Sequence, residues 1–315
     1  MAAQEAARSE GRALRVLTLD GGGAKGFYTL GVLSEVEAAL GGPLYQHFDL
    51  IYGTSTGSII GALLALGRSI PEIHDLYREH VPALMQKRLV STRTAALEKL
   101  AAEVFGDATF EDMRTGVGIV AVRWLTERPM IFKANIGQAH GSRGSFVPGF
   151  GVKVSDAVRA SCSAFPFFRR ATIETAHRER VELLDGGYCA NNPTLYAIAD
   201  ALGPMGVSPA QVRVLSIGVG VYPPKRRFTV ELAKAIPFNS IALLQKTLEI
   251  NTQSMDQLRS ILYRDVQTVR VSETYEQPEM ATDLLEHDLE KLNVLWQRGR
   301  ASYAKYENPI LDLLR

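Results

Sequence analysis

At 315 residues, with 46% hydrophobic and 22% charged residues, the chain can bury a large core and has the composition of a folded globular protein. Its net charge of +1 gives no global basic field, so a nucleic-acid polymer is not an expected partner. Cys162 and Cys189 offer neither a disulfide framework nor a metal-binding spacing, and the first residues lack the apolar stretch of a secretory signal, so a cytoplasmic chain with reduced thiols is expected.

Residues 1–13 alternate alanine with charge and are expected to be a flexible N-terminus, followed by a single domain over 14–315. The apolar run from Leu14 predicts a buried strand that breaks on Gly21, Gly22 and Gly23 and re-enters a helix near Gly26. "FDLIYG" predicts a second strand turning at Ser55 into a helix that ends on Gly67, and Pro71 opens the next helix. Residues 86–106 read as a polar, mildly basic helix carrying Lys87, Arg88 and Arg93. "GVGIVAVRWL" and "RPMIFKANI" predict paired strands, and a glycine-rich loop leads to a helix that stops before Pro166. "VELLDGG" and "VRVLSIGVG" predict two further buried strands with a helix between them, and residues 238–315 read as mainly helical. Strands alternating with helices predict an α/β fold, three layers αβα around a mostly parallel sheet.

Gly21, Gly23 and Gly26 satisfy the spacing of a dinucleotide-binding turn, but that reading fails on its second requirement. No acid ends the second strand: Asp49 precedes it, and Asp20 sits awkwardly beside any pyrophosphate. A Walker loop fails because Lys25 is followed by Gly26. "GTSTG", from Gly53 to Gly57, instead places Ser55 on a strand-to-helix turn, the setting of a nucleophile elbow, although a serine there also suits a helix N-cap. None of His47, His74, His80, His140, His177 and His287 lies on a strand-end turn where a catalytic base is held. Asp185 does, followed by Gly186 and Gly187. It is either an Asp-Gly turn residue or a base taking the proton from Ser55 directly, which requires desolvation because a free carboxyl is a weak base.

"DGGGAKG", "GTSTG" and "DGG", in this order, together with "ASCSAFPFF" and "LLDGGYCANNPTLYAIADA", resemble the patatin-like phospholipase family over about residues 14–220. The resemblance implies a lipid acyl hydrolase of phospholipase A type, with Ser55 as nucleophile, Asp185 as general base and an oxyanion hole at Gly21, Gly22 and Gly23. Lys25, Gly26, Gly53, Gly57, Gly186 and Gly187 would support these motifs, with no metal and no cofactor. It further implies peripheral contact with membrane phospholipid as substrate. Similarity extends to bacterial members activated by cyclic nucleotides in antiphage defence. Lys25 stands where the family commonly has arginine, and "FFRRA" follows Pro166 where many members have a further proline. Hydrolysis of non-phospholipid esters, or a catalytically silent binding or storage protein of the same fold, are the competing readings. Arg169 and Arg170, next to "FPFF", are the expected contact with anionic headgroups.

Overall fold

The computed structural model describes residues 12–141, 143–225 and 236–315. The expected flexible N-terminus therefore lies, over residues 1–11, outside the described residues.

Eight strands form one sheet: β1 (Leu14–Leu19), β2 (Leu50–Thr54), β3 (Gly116–Arg123), β4 (Arg128–Lys133), β5 (Ala171–Glu174), β6 (Arg180–Asp185), β7 (Val212–Ile217) and β8 (Gln267–Val271). The order is β5-β6-β3-β2-β1-β7-β8, with β4 also paired to β3. The run β3-β2-β1-β7-β8 is parallel throughout, as the sequence predicts. At the other edge the pairings β3-β4, β3-β6 and β5-β6 are antiparallel, so the sheet is mixed there. The short link between β3 and β4 allows nothing else, because a parallel crossover needs a dozen or more residues.

Nine helices cover the sheet: α1 (Gly26–Leu40), α2 (Thr56–Ala65), α3 (Ile70–Met85), α4 (Val90–Phe105), α5 (Val154–Ser161), α6 (Gly187–Ala190), α7 (Thr194–Leu202), α8 (Ile236–Leu262) and α9 (Leu289–Leu314) among the described residues. Alternation along the strands divides the interior in two. Leu17, Leu19, Ile51 and Ile119 join the larger core with α1 to α5 and α9. Val16, Leu50, Tyr52 and Val120 face the smaller core with α7. Strands buried on both faces explain why these segments read as continuous apolar runs. The expected three layers are present.

Two local expectations change and a third gains detail. The C-terminal region is mainly helical, but β8 lies between α8 and α9 and pairs with β7. Its segment "QTVRV" is short and half polar, and it becomes a strand by completing the parallel edge. The helix expected to run up to Pro166 ends at Ser161, and residues 162–168 continue as turns. Arg93 is not part of a solvated basic face; it is buried.

Candidate active site

The strand register brings Ser55 and Asp185 together. Thr54 at the end of β2 pairs with Val120 of β3, and Asp185 at the end of β6 pairs with the next residue, Ala121. Because β4 pairs with Gly118–Arg123 of β3 and so runs alongside both pairings, it occupies one edge of β3 and leaves β2 and β6 to share the other. The two strands approach along that edge from opposite directions, and their carboxyl ends face each other.

Ser55 holds φ 51° and ψ −123° at the N-terminus of α2, a conformation unfavourable for a side chain by about 1–3 kcal/mol. Its N–H donates to Ser161 Oγ at 2.9 Å, and that hydroxyl donates to the Val120 carbonyl at 2.6 Å. Its carbonyl accepts the Ser58 N–H at 2.8 Å and the Ser58 hydroxyl at 2.7 Å. The backbone is thus held on both sides while the Ser55 side chain lines a cleft. The spacing of "GTSTG" has a steric cause: a Cβ at Gly53 would collide with the Gly57 backbone, and one at Gly57 with the Leu19 carbonyl. Strand and helix can approach this closely only without those side chains.

Asp185 is 3% exposed. Its Oδ1 accepts the Gly187 N–H at 2.7 Å, while its buried Oδ2 has no hydrogen-bond partner among the described residues. Burial pushes the carboxyl up to about 7, against smaller opposing pulls from the Gly187 N–H and the Ser55 hydroxyl. A carboxyl poised near neutrality suits a general base far better than one near 4.

The glycine turn corrects one expectation. The Gly21 N–H donates to the Asn191 carbonyl at 2.9 Å, so Gly21 is not an open donor. Gly21 is instead the place where the turn passes Asn191 and Ser55, with no room for a Cβ. The N–H groups of Gly22 and Gly23 have no acceptor among the described residues, and neither does that of Thr56 at the first position of α2. All three residues line the cleft with Ser55 and Asp185. Lys25 does not project into solvent; it is buried with Nζ 3.5 Å from Glu249 Oε1 of α8, and burial lowers its pKa against the pull of Glu249. Asp20 is buried against Arg270 of β8, whose Nη1 lies 2.8 Å from Asp20 Oδ1 and 2.8 Å from Ser216 Oγ. Burial raises the Asp20 pKa, and Arg270 opposes the rise. These pairs anchor both ends of the turn.

Sequence reasoning missed Ser161, Asn191, Glu249 and Arg270. Asn191 lies within the quoted "LLDGGYCANNPTLYAIADA" and ties the turn to α8, its Nδ2 donating to the Gly21 carbonyl at 3.2 Å and to Thr252 Oγ1 at 2.7 Å. Arg270 had no local signal, since its partner is 250 residues away.

The cleft encloses about 120 Å³ and is walled by Tyr77, Val81, Leu84, Leu97, Phe167 and Phe168. His80 also lines it, but its Nε2 lies 3.8 Å from Glu79 and it makes no hydrogen bond to the dyad. His140 meets Asp200, and His74 stacks on Trp296 with ring centroids 3.9 Å apart. Among the described residues no histidine bonds Ser55 or Asp185, and no group of side chains has the arrangement of a metal site.

The patatin-like phospholipase family description matches residues 17–198. The chain is 61% identical over 301 residues to a cUMP-AMP-activated phospholipase of Escherichia coli, covering 95% of this chain and 93% of that protein. It is 33% identical over 219 residues to a cGAMP-activated phospholipase of Pseudomonas aeruginosa, covering 64% and 61%. It is 27% identical over 233 residues to the rabbit (Oryctolagus cuniculus) calcium-independent phospholipase A2-gamma, covering 68% of this chain and 29% of that protein. The chain belongs to the patatin-like phospholipase family.

Proposed function

We propose that this hydrolase of lipid acyl esters cleaves membrane phospholipids through Ser55 and Asp185. The observation that carries the reading is a serine on a strained elbow facing a buried carboxyl that has one oxygen without a partner. In its ionised form Asp185 takes the Ser55 proton as Oγ attacks the ester carbonyl carbon. The N–H groups of Gly22, Gly23 and Thr56 are the donors available to the oxyanion, aided by the positive end of α2. Collapse of the tetrahedral species breaks the ester C–O bond, and Asp185 returns its proton to the leaving alkoxide. Water then attacks the acyl-serine, giving its proton to Asp185, and the fatty acid departs with Ser55 reprotonated.

The close similarity to a protein named for activation by cUMP-AMP supports the same activator here. The antiphage role implied by the sequence resemblance goes with that activator. Among the described residues no helix is long and apolar enough to cross a membrane, so the substrate is to be met from the membrane surface.

A fluorophosphonate probe, applied with and without cUMP-AMP, tests the catalytic assignment. Labelling of the wild type and none of Ser55→Ala is expected, together with phospholipid hydrolysis that rises on addition of cUMP-AMP. Labelling that persists in Ser55→Ala moves the nucleophile elsewhere.

A further inference from the structure

The sequence holds two basic clusters that the fold joins into one surface. Buried Arg93 of α4 donates through Nη1 to the Phe167 carbonyl at 3.2 Å and through Nη2 to the Lys87 carbonyl. The Arg169 N–H donates to Thr94 Oγ1 at 3.0 Å. Residues 87–94 and 165–169 are therefore stitched side by side, and directly inward Leu97, Phe167 and Phe168 form a wall of the cleft that contains Ser55.

The outer surface of this seam is apolar and basic. Leu89 is 65% exposed, Val90 36% and Phe165 56%. Lys87, Arg88 and Arg169 are exposed beside them, with no ion pair among the described residues. Neither "QKRLVSTRT" nor "AFPFFRR" contains an acid. Arg170 belongs elsewhere: it pairs with Glu182 at 2.9 Å and lies over the Trp124 ring at 4.4 Å. The expected Arg169–Arg170 contact thus narrows to Arg169 and gains Lys87 and Arg88.

We propose that this seam is the surface that docks on lipid, with Leu89, Val90 and Phe165 entering the acyl boundary and Lys87, Arg88 and Arg169 meeting anionic headgroups. The inference rests on the phospholipase reading for its purpose and on geometry for its place. Large apolar side chains ringed by unpaired cations suit an interface that is oily on one side and anionic on the other. Continuity with the cleft wall gives a lifted acyl chain an apolar path toward Ser55. A protein partner would instead need acids opposite the cations, and the lipid surface is favoured because the substrate itself resides there.

Two variant sets and two vesicle types test this. Co-sedimentation with phosphatidylcholine vesicles, with and without phosphatidylglycerol, is measured for the full chain in the presence of cUMP-AMP. Leu89→Ser with Phe165→Ser should weaken binding to both vesicle types by at least about tenfold. Lys87→Gln with Arg88→Gln and Arg169→Gln should weaken binding to the anionic vesicles alone, on the order of a hundredfold, and remove its salt dependence. Hydrolysis of soluble p-nitrophenyl butyrate and the melting temperature should stay at wild-type values in both sets. Wild-type vesicle binding by both sets overturns the proposal. So does a change in the oligomeric state of the free protein with vesicle binding retained, since the seam is then a contact between copies. If the wild type binds vesicles, and the variants lose that binding, while no ester of either kind is hydrolysed, the docking surface stands and the catalytic reading falls.

Discussion

Two buried aspartates on different elements show how one residue type serves opposite ends. Asp200, on α7, is 1% exposed and is surrounded by donors: Tyr52 Oη at 2.5 Å, Lys133 Nζ at 2.6 Å and Gln138 Nε2 at 3.2 Å, with His140 Nε2 at 2.7 Å. Asp185, at the end of β6, is buried to nearly the same degree but has far fewer donors among the described residues: the Gly187 N–H at 2.7 Å and the weaker pull of the Ser55 hydroxyl. Desolvating a carboxyl is costly in both places, and the neighbours decide whether that cost is met. At Asp200 the donors bind β2, β4, the loop after β4 and α7 into one polar knot, so the group is spent on the fold. At Asp185 the cost is compensated only in part, and the result is a carboxyl raised to about 7 whose Oδ2 has no hydrogen-bond partner among the described residues. Saturation makes a carboxyl structural; its lack makes one reactive.

The largest expected effect is on chemistry. Asp185→Asn keeps the Oδ1 contact with the Gly187 N–H but removes the base, and should lower turnover by roughly 10²–10⁴-fold. Wild-type turnover should rise with pH and level off above about 7 as Asp185 ionises, a dependence the variant should lack. A full-rate variant would end the comparison, because Asp185 would then be as structural as Asp200.

Next comes Asp200→Ala, which leaves the Lys133 ammonium, 12% exposed, without its carboxylate and strands the Tyr52 hydroxyl. A loss of about 3–5 kcal/mol in denaturant unfolding is expected, with turnover per folded molecule little changed. Equal loss of turnover at a temperature where the variant is folded would show that the knot reaches the catalytic centre.

The smallest effect has the opposite sign. Asp185 has a folded pKa of about 7, above the ordinary value near 3.8, so folding favours its protonated form. Its ionisation therefore costs nothing below pH about 4, an increasing amount between about 4 and 7, and the full penalty above. Asp185→Asn carries no such penalty and should be more stable than the wild type at pH 8, by an upper bound on the order of 4 kcal/mol, with the gain vanishing near pH 4. Thermal unfolding of both proteins across that range measures it, and a constant difference would mean that Asp185 is already satisfied in the folded state.

Much of the catalytic site was legible in short segments, since a few neighbouring residues determine the local backbone. Gly53 and Gly57 imply close approach of strand and helix, Ser55 between them implies an elbow, and Asp185 before two glycines implies a carboxyl at a strand end. The parallel core was legible for a related reason: strands covered on both faces must be apolar along their length. Other decisions depended on partners that no local window contains. Gly21 looks like Gly22 and Gly23 in the sequence, yet its N–H is taken by Asn191. Arg93 looks like Arg88, yet it turns inward because the carbonyl of Phe167, on a facing segment 74 residues away, accepts its guanidinium together with the nearby Lys87 carbonyl. Residues 267–271 become β8 because the backbone edge of β7 accepts them, and the half-buried Arg270 is held there by Asp20, which follows β1 on the far side of β7. The amino-acid sequence alone determined which turns could carry a nucleophile and a base. Tertiary structure decided that the two strands bearing them meet along one edge of β3, and which nearby polar groups were left unpaired, because a hydrogen-bonding group stays available only where no distant segment arrives to satisfy it.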